Sequence, residues 1–144
     1  MILCGIQAAG KTSFYRDRYL ETHVRISLDL LRTRHREALF LDTCLRSGQR
    51  FVVDNTNPTV DERRRYAVPA LAAGFRLVAC LLDVAPSEAL ARNARRPPRQ
   101  RIPVAGLLGT RKRLEPPTAA EGFDEVWVVR HDAARGWRLE RATA

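Results

Sequence analysis

The sequence has no apolar run long enough to cross a membrane, which excludes a transmembrane helix. Cysteine is scarce. Cys4, Cys44 and Cys80 stand far apart in apolar segments without metal-ligand spacing, so buried free thiols in a reducing cytoplasm are the simplest account. The three histidines, His23, His35 and His131, share no ligand spacing either, which points away from a metal centre built on them. Lysine is almost missing, with Lys11 and Lys112 the only two among 25 basic residues. Aromatic residues make up 7% of the chain, too few for an extended stacking surface. Trp137 is therefore expected to pack rather than to stack on bases, and Trp127, in a strand-like run, is expected in the core. Acidic residues are also in deficit, 16 against 25, for a net charge of +9. That balance favours a polyanionic partner beyond what a nucleotide requires, although a generally arginine-rich proteome gives the same excess. Met1 leads straight into an apolar segment, so no secretory leader is expected.

With 144 residues the chain has the size of one domain with one sizeable core, and no repeat or linker divides it. Residues Gly5-Ile6-Gln7-Ala8-Ala9-Gly10-Lys11-Thr12 spell G-x-x-x-x-G-K-[ST], directly after the apolar triplet Ile2-Leu3-Cys4. A strand feeding a glycine-framed loop that opens a helix is the context in which this pattern cradles phosphate. The glycines let backbone N–H groups converge on phosphate oxygens, and the helix points its positive end at the anion. Lys11 offers a cation to the β- and γ-phosphates, and Thr12 a hydroxyl to Mg²⁺. Gly5, Ala8, Ala9, Gly10, Lys11, Thr12 and Ser13 are thus the expected nucleotide contacts. A chance match in a strand–turn–helix is the bland alternative.

Strand-like runs recur at residues 2–4, 24–28, 51–54, 77–83 and 126–129, with helical stretches between them. Helices are predicted over residues 11–20, over 30–47 with Leu31, Ala38, Leu41 and Leu45 on one face and Gly48 as the stop, and from a Thr59…Glu62 capping box to about Gly74 with a kink at Pro69. Two more are predicted from Pro86 to about Arg96 and from Val104 to the stop at Pro116-Pro117. A small terminal strand over 136–140 is also expected. This alternation predicts an α/β fold with a five-stranded parallel sheet covered on both faces. Residues 92–101 carry five arginines and two prolines, and read as an exposed, mobile lid without internal partners for its charges.

Ligands of parallel sheets bind at the carboxyl ends of strands. Asp29 and Arg32 follow the second strand, Asp54 the third, and the arginine-rich segment follows the fourth strand and its helix. Phosphoryl transfer needs a phosphate cradle, a metal site, a carboxylate for the acceptor's proton and cations for developing charge. Each has a candidate here. Taken singly, Asp29 can be a helix cap, Asp54 an Asx turn, and Arg32, Arg34 and Arg36 a solvated helix face.

The chain resembles the kinase module of the 5′-polynucleotide kinases, and more closely a group of compact bacterial kinases of the phosphate-loop class. The resemblance spans nearly the whole chain. It rests on the loop at residues 5–12, Ser27-Leu28-Asp29-Leu30-Leu31-Arg32, Val53-Asp54-Asn55-Thr56-Asn57-Pro58, Arg92-Asn93-Ala94-Arg95-Arg96, Ile102-Pro103, and Glu115-Pro116-Pro117-Thr118 with Glu121-Gly122-Phe123. It implies Asp29 as general base on the acceptor hydroxyl, with Lys11 and Arg96 in catalysis and Arg92 and Arg96 as lid arginines on the nucleotide phosphates. It further implies Arg32 on an acceptor phosphate, and Asp54 near the acceptor and, with Thr12, at the metal. Leu28 stands where family members often carry a cation. ATP and Mg²⁺ are the implied cofactors. Three functions stay open: a kinase of polynucleotide 5′-hydroxyls, a kinase of a small metabolite, sugar or antibiotic, and a non-catalytic nucleic-acid-binding ATPase module.

Overall fold

Short runs rich in β-branched and aliphatic residues form the strands, and the segments between them coil into helices that cover both sheet faces. The computed structural model describes residues 1–143. The strands are β1 Ile2–Cys4, β2 Val24–Ile26, β3 Phe51–Asp54, β4 Val78–Leu82, β5 Glu125–Asp132 and β6 Gly136–Arg141. The helices are α1 Lys11–Tyr19, α2 Leu28–Leu31, α3 Arg34–Ser47, α4 Val60–Ala72, α5 Pro86–Ala94 and α6 Val104–Arg113. Single 3₁₀ turns lie at Pro98–Gln100 and Ala119–Glu121.

The sheet order is β2-β3-β1-β4-β5-β6. The first five strands are mutually parallel, and β6 runs antiparallel to β5. This is the phosphate-loop NTPase class of α/β fold, with the expected parallel core of five strands and one correction. The terminal strand extends the sheet to six, because two-residue alternation continues through Gly136–Arg141 and pairs as a hairpin. Strands β3 and β4 flank β1 on opposite sides, so the direction of winding reverses beside β1. A crevice opens there, at the carboxyl ends of the strands.

Alternate residues of each strand enter two cores. Ile2, Cys4, Ile26, Val53 and Ala79 meet Leu41, Cys44, Tyr66 and Ala70 on one face. Leu3, Val52, Cys80 and Val129 meet Phe14, Tyr15, Ala89 and Leu107 on the other. All three cysteines are free and buried. Burial pushes the Cys4 and Cys80 thiols up to about 12, so both stay protonated. Among the described residues, no helix is long and apolar enough to cross a membrane.

Several stop and start signals act where the sequence places them. Thr59 and Glu62 form the reciprocal capping box of α4, Pro86 sits in the first turn of α5, and Gly48 closes α3 at φ 73°. The helix expected over residues 30–47 is instead two. Arg32 takes φ 72°, and the Thr33 hydroxyl accepts from the Arg36 N–H at 3.2 Å, starting α3 afresh. The restart turns the buried face of α3 to Glu37, Leu41 and Cys44 and leaves Ala38 exposed. Trp127 is only half-buried, its indole N–H bonded to Glu125 Oε2 at 3.0 Å.

Candidate active site

The phosphate loop bends through two left-handed residues: Gly10 at φ 96°, which glycine adopts without steric cost, and Ala8 at φ 61°, where the alanine Cβ makes the conformation unfavourable. A Cβ on Gly10 would stand 3.2 Å from the Trp137 ring. The loop is tied on three sides. Gly5 N–H donates to the Thr56 carbonyl at 3.0 Å, Gln7 Nε2 donates to Thr110 Oγ1 at 3.0 Å, and Trp137 packs over Gly10. The Lys11 ammonium is buried inside the loop it serves, donating to the Gly5 and Ile6 carbonyls at 2.9 and 2.7 Å. Burial lowers its pKa to about 8, against the opposing pull of Asp54.

The segment after β3 makes the next wall, and its residues act one by one. Asp54 Oδ2 accepts from Thr12 Oγ1 and from Arg25 Nε, both at 2.8 Å. Asn55 Oδ1 accepts from the Leu28 N–H at 2.9 Å, and its Nδ2 donates to Glu37 Oε2 at 2.9 Å. Asn57, buried at φ 46°, donates to the Leu3 carbonyl at 2.7 Å. Arg63, fully buried, donates to the carbonyls of Asn57, Pro58 and Glu115, and meets Glu121 through two bonds of 2.7 and 2.8 Å. The strings around residues 54–58 and 115–123 thus clamp this wall to the rest of the fold.

One cavity of about 340 Å³ gathers Gly10, Lys11, Thr12, Ser13, Asp29, Arg34, Asp54, Tyr66 and Arg96. Asp29 is not a helix cap. Ser27 occupies the cap position of α2, and Asp29 lies in its first turn, exposed into the cavity. Lys11 feels the charges of Asp54, Arg96 and Asp29, which places all three around one point. Arg32 is exposed and does not line the cavity, while Arg34 does. The Arg34 guanidinium is fixed from behind. Its Nη1 donates to Glu37 Oε1 at 2.7 Å and to Tyr66 OH at 2.9 Å, and Tyr66 OH donates to Glu37 Oε1 at 3.0 Å. Buried Glu37 is the anchor of this network.

Arg92 does not line that cavity but shares an adjoining one with Ala8, Gly10, Ser13 and Arg96. It reaches the Ala9 carbonyl at 3.4 Å, pairs with Glu88, and lines a neighbouring cavity of about 230 Å³ with Ala9, Val84, His131 and Trp137. The Arg96 side chain reaches the main cavity with no protein partner among the described residues. The arginine-rich segment is more tied down than its composition suggests. Asn93 is buried and exchanges two hydrogen bonds with Ile102, and Arg101 donates to the Arg96 carbonyl. The arginines at 95 and 99 are exposed.

Sequence reasoning missed Arg25, Arg34, Glu37, Tyr66 and Arg63. Arg34 was within view as part of a charge run. The others carry no local signal, because their roles arise from contacts between distant segments.

A family model described as an AAA domain matches residues 1–117. The chain is 24% identical over 135 residues to a bifunctional polynucleotide phosphatase/kinase of Schizosaccharomyces pombe, covering 90% of this chain and 33% of that protein. The chain therefore spans about a third of the length of this relative. It superposes on Chaetomium thermophilum Kti12, solved in complex with ADP-AlF3, with TM-score 0.72 at 15% identity over 92% of this chain and 90% of that one. A gluconokinase from Sinorhizobium meliloti 1021 gives TM-score 0.60 at 17% identity, over 90% and 80% of the two chains. These likenesses in structure establish a shared fold.

Proposed function

The chain belongs to the AAA domain family, and from that membership and the cavity around Lys11 we propose that it is an ATP- and Mg²⁺-dependent kinase, with a polynucleotide 5′-hydroxyl as the favoured acceptor. The observation that carries this reading is the meeting of Lys11, Thr12, Asp29 and Arg96 in one cavity at the carboxyl end of the sheet. We take residues 1–144 as one cytoplasmic catalytic unit, with residues 92–101 as its lid.

The loop amides from Ala8 to Ser13 and Lys11 hold the β- and γ-phosphates. Thr12 Oγ1 and Asp54 Oδ2 are hard oxygen donors 2.8 Å apart, and both suit Mg²⁺, which neutralises phosphate charge when bound. Asp29 orients the acceptor hydroxyl and takes its proton. The acceptor oxygen then bonds to the γ-phosphorus as the bond to the β-phosphate oxygen breaks, and ADP departs. Arg96 faces the transferring group and stabilises charge that shifts toward the leaving oxygen. Arg92, beside Ala9 and Trp137, serves the nucleotide on the other side of the loop.

Arg34 replaces Arg32 as the cation on the acceptor side, because it lines the cavity with Asp29 and is held there by Glu37 and Tyr66. Arg32 and Arg36 beside Arg34 in the sequence are exposed, and at the basic end of α6 Arg113 lies 3.7 Å from Glu62, which lines the cavity. That distribution suits a chain of phosphates and accounts for part of the +9 charge.

One observation favours a second reading, a small-molecule kinase. The cavity beside Asp29 measures about 340 Å³, on the scale of a sugar-sized group, while a second cavity of about 430 Å³ borders the loop at Gly10, Ser13, Arg92 and Arg96. An acceptor screen with γ-labelled ATP separates the readings. Label on 5′-hydroxyl oligonucleotides supports the first, and label confined to sugars or nucleosides supports the second. No transfer to any acceptor, with ATP bound, returns the protein to the class of non-catalytic modules.

A further inference from the structure

Arg25 is a lone charge in a three-residue strand, and the proposed mechanism gives it no task. Its side chain points to the α1 face of the sheet, on the same face as Val52 and Asp54 of the neighbouring strand. There its Nε donates to Asp54 Oδ2 at 2.8 Å and its Nη2 to Thr12 Oγ1 at 3.3 Å. Thr12 Oγ1 itself donates to the same Asp54 oxygen at 2.8 Å. One guanidinium edge therefore bridges both oxygens that would hold a divalent ion. The Asp54 side chain is 2% exposed, and a carboxylate buried that deeply needs hydrogen-bond donors or a cation beside it. Arg25 supplies that cation permanently, because a guanidinium does not lose its proton in a protein.

The arrangement has two opposed effects. It fixes Thr12 and Asp54 side by side, ready to coordinate. It also directs an N–H at the Thr12 lone pair and adds positive charge beside Lys11, which repels an incoming divalent ion. Nucleotide phosphates reverse the balance by bringing several negative charges to the same point. We propose that Arg25 is a positioning residue that stands in for the divalent ion when nucleotide is absent and makes binding of that ion conditional on nucleotide. The inference rests on the nucleotide-binding reading above and adds the order in which the site fills.

The test titrates Mn²⁺, followed by electron paramagnetic resonance, into nucleotide-free protein. It compares wild type, Arg25→Gln and Arg25→Lys, with metal-free ADP binding measured by calorimetry on each. Arg25→Gln should bind Mn²⁺ without ADP at least about tenfold more tightly than wild type, since one nearby positive charge is gone. Arg25→Lys keeps the charge and should exclude Mn²⁺ as wild type does. Equal Mn²⁺ affinities for wild type and Arg25→Gln, with ADP binding retained, overturn the inference and leave the nucleotide reading standing. Equally tight Mn²⁺ binding by both variants also overturns it, because charge is then not what excludes the ion. Failure of wild type to bind ADP overturns the nucleotide reading, and the inference falls with it.

Discussion

Arg63 and Glu121 meet as a two-pronged ion pair across 58 residues of sequence, with the arginine side chain wholly shielded from water and the glutamate nearly so. The remaining guanidinium N–H group holds the carbonyls of Asn57, Pro58 and Glu115. The pair therefore joins the wall behind Asp54 to the segment that leads into β5.

Glu121→Ala should cost about 3–5 kcal/mol of stability, because it leaves a buried guanidinium without its counter-charge. Replacing both partners with apolar residues should recover part of that loss in overall stability. Chemical denaturation of the two variants checks both statements. Losses under about 1 kcal/mol for Glu121→Ala would mean that water reaches the site.

Nucleotide binding is expected to depend on pH through Lys11. Its folded value of about 8 lies below the ordinary 10.5, with burial as the main cause. The folded chain thus binds fewer protons than the unfolded chain between those values, and this group's contribution to stability rises with pH across that window. A bound polyphosphate favours the charged ammonium, so ADP binding should take up a proton near pH 8 to 9 and weaken as pH rises further. Calorimetry in buffers of different ionisation enthalpy measures the uptake. Lys11→Met should abolish it and reduce transfer by orders of magnitude.

Asp29→Asn keeps the size of the side chain and removes its capacity to accept a proton. Turnover should fall by about 10²- to 10⁴-fold with ADP affinity nearly unchanged. A collapse of ADP affinity with turnover per bound complex preserved would assign Asp29 to the metal instead.

The acceptor side is tested by two neighbouring arginines. Arg34→Ala should raise the KM for an oligonucleotide and lower the salt slope of its binding by about one, the loss of one phosphate contact. Arg32→Ala should change both far less, since Arg32 lies outside the cavity. A flat response to salt in wild type favours the sugar-sized acceptor.

The parts of the site read from the sequence share a property: each is a local pattern with its own backbone consequence. The phosphate loop, the carboxylates after β2 and β3, the Thr59 capping box and the Gly48 stop all belong to this group. The parts that escaped are set by long-range geometry. A single residue at φ 72° rotated α3, which exchanged Arg32 for Arg34 in the cavity and buried Glu37. Of Arg63, Arg64 and Arg65, only the first is buried, under the 115–121 segment. Arg25 looks like surface charge until Asp54 is set beside it. The lid segment is the reverse case. Its composition suggests charges without internal partners, but Arg92 pairs with Glu88 and Asn93 exchanges two hydrogen bonds with Ile102.

Trp137 makes T-shaped contact with Phe14 at 5.1 Å, bonds Asp17 through its indole N–H at 2.9 Å, and rests its ring on Gly10. The protein thereby carries a built-in optical reporter at the turn proposed to grip phosphate. Indole emission responds to polarity and to nearby charge, so filling the loop should alter the fluorescence of this ring without any attached dye. Only Trp127 competes for the signal, and replacing it with phenylalanine would leave a single emitter whose spectrum follows occupancy in real time.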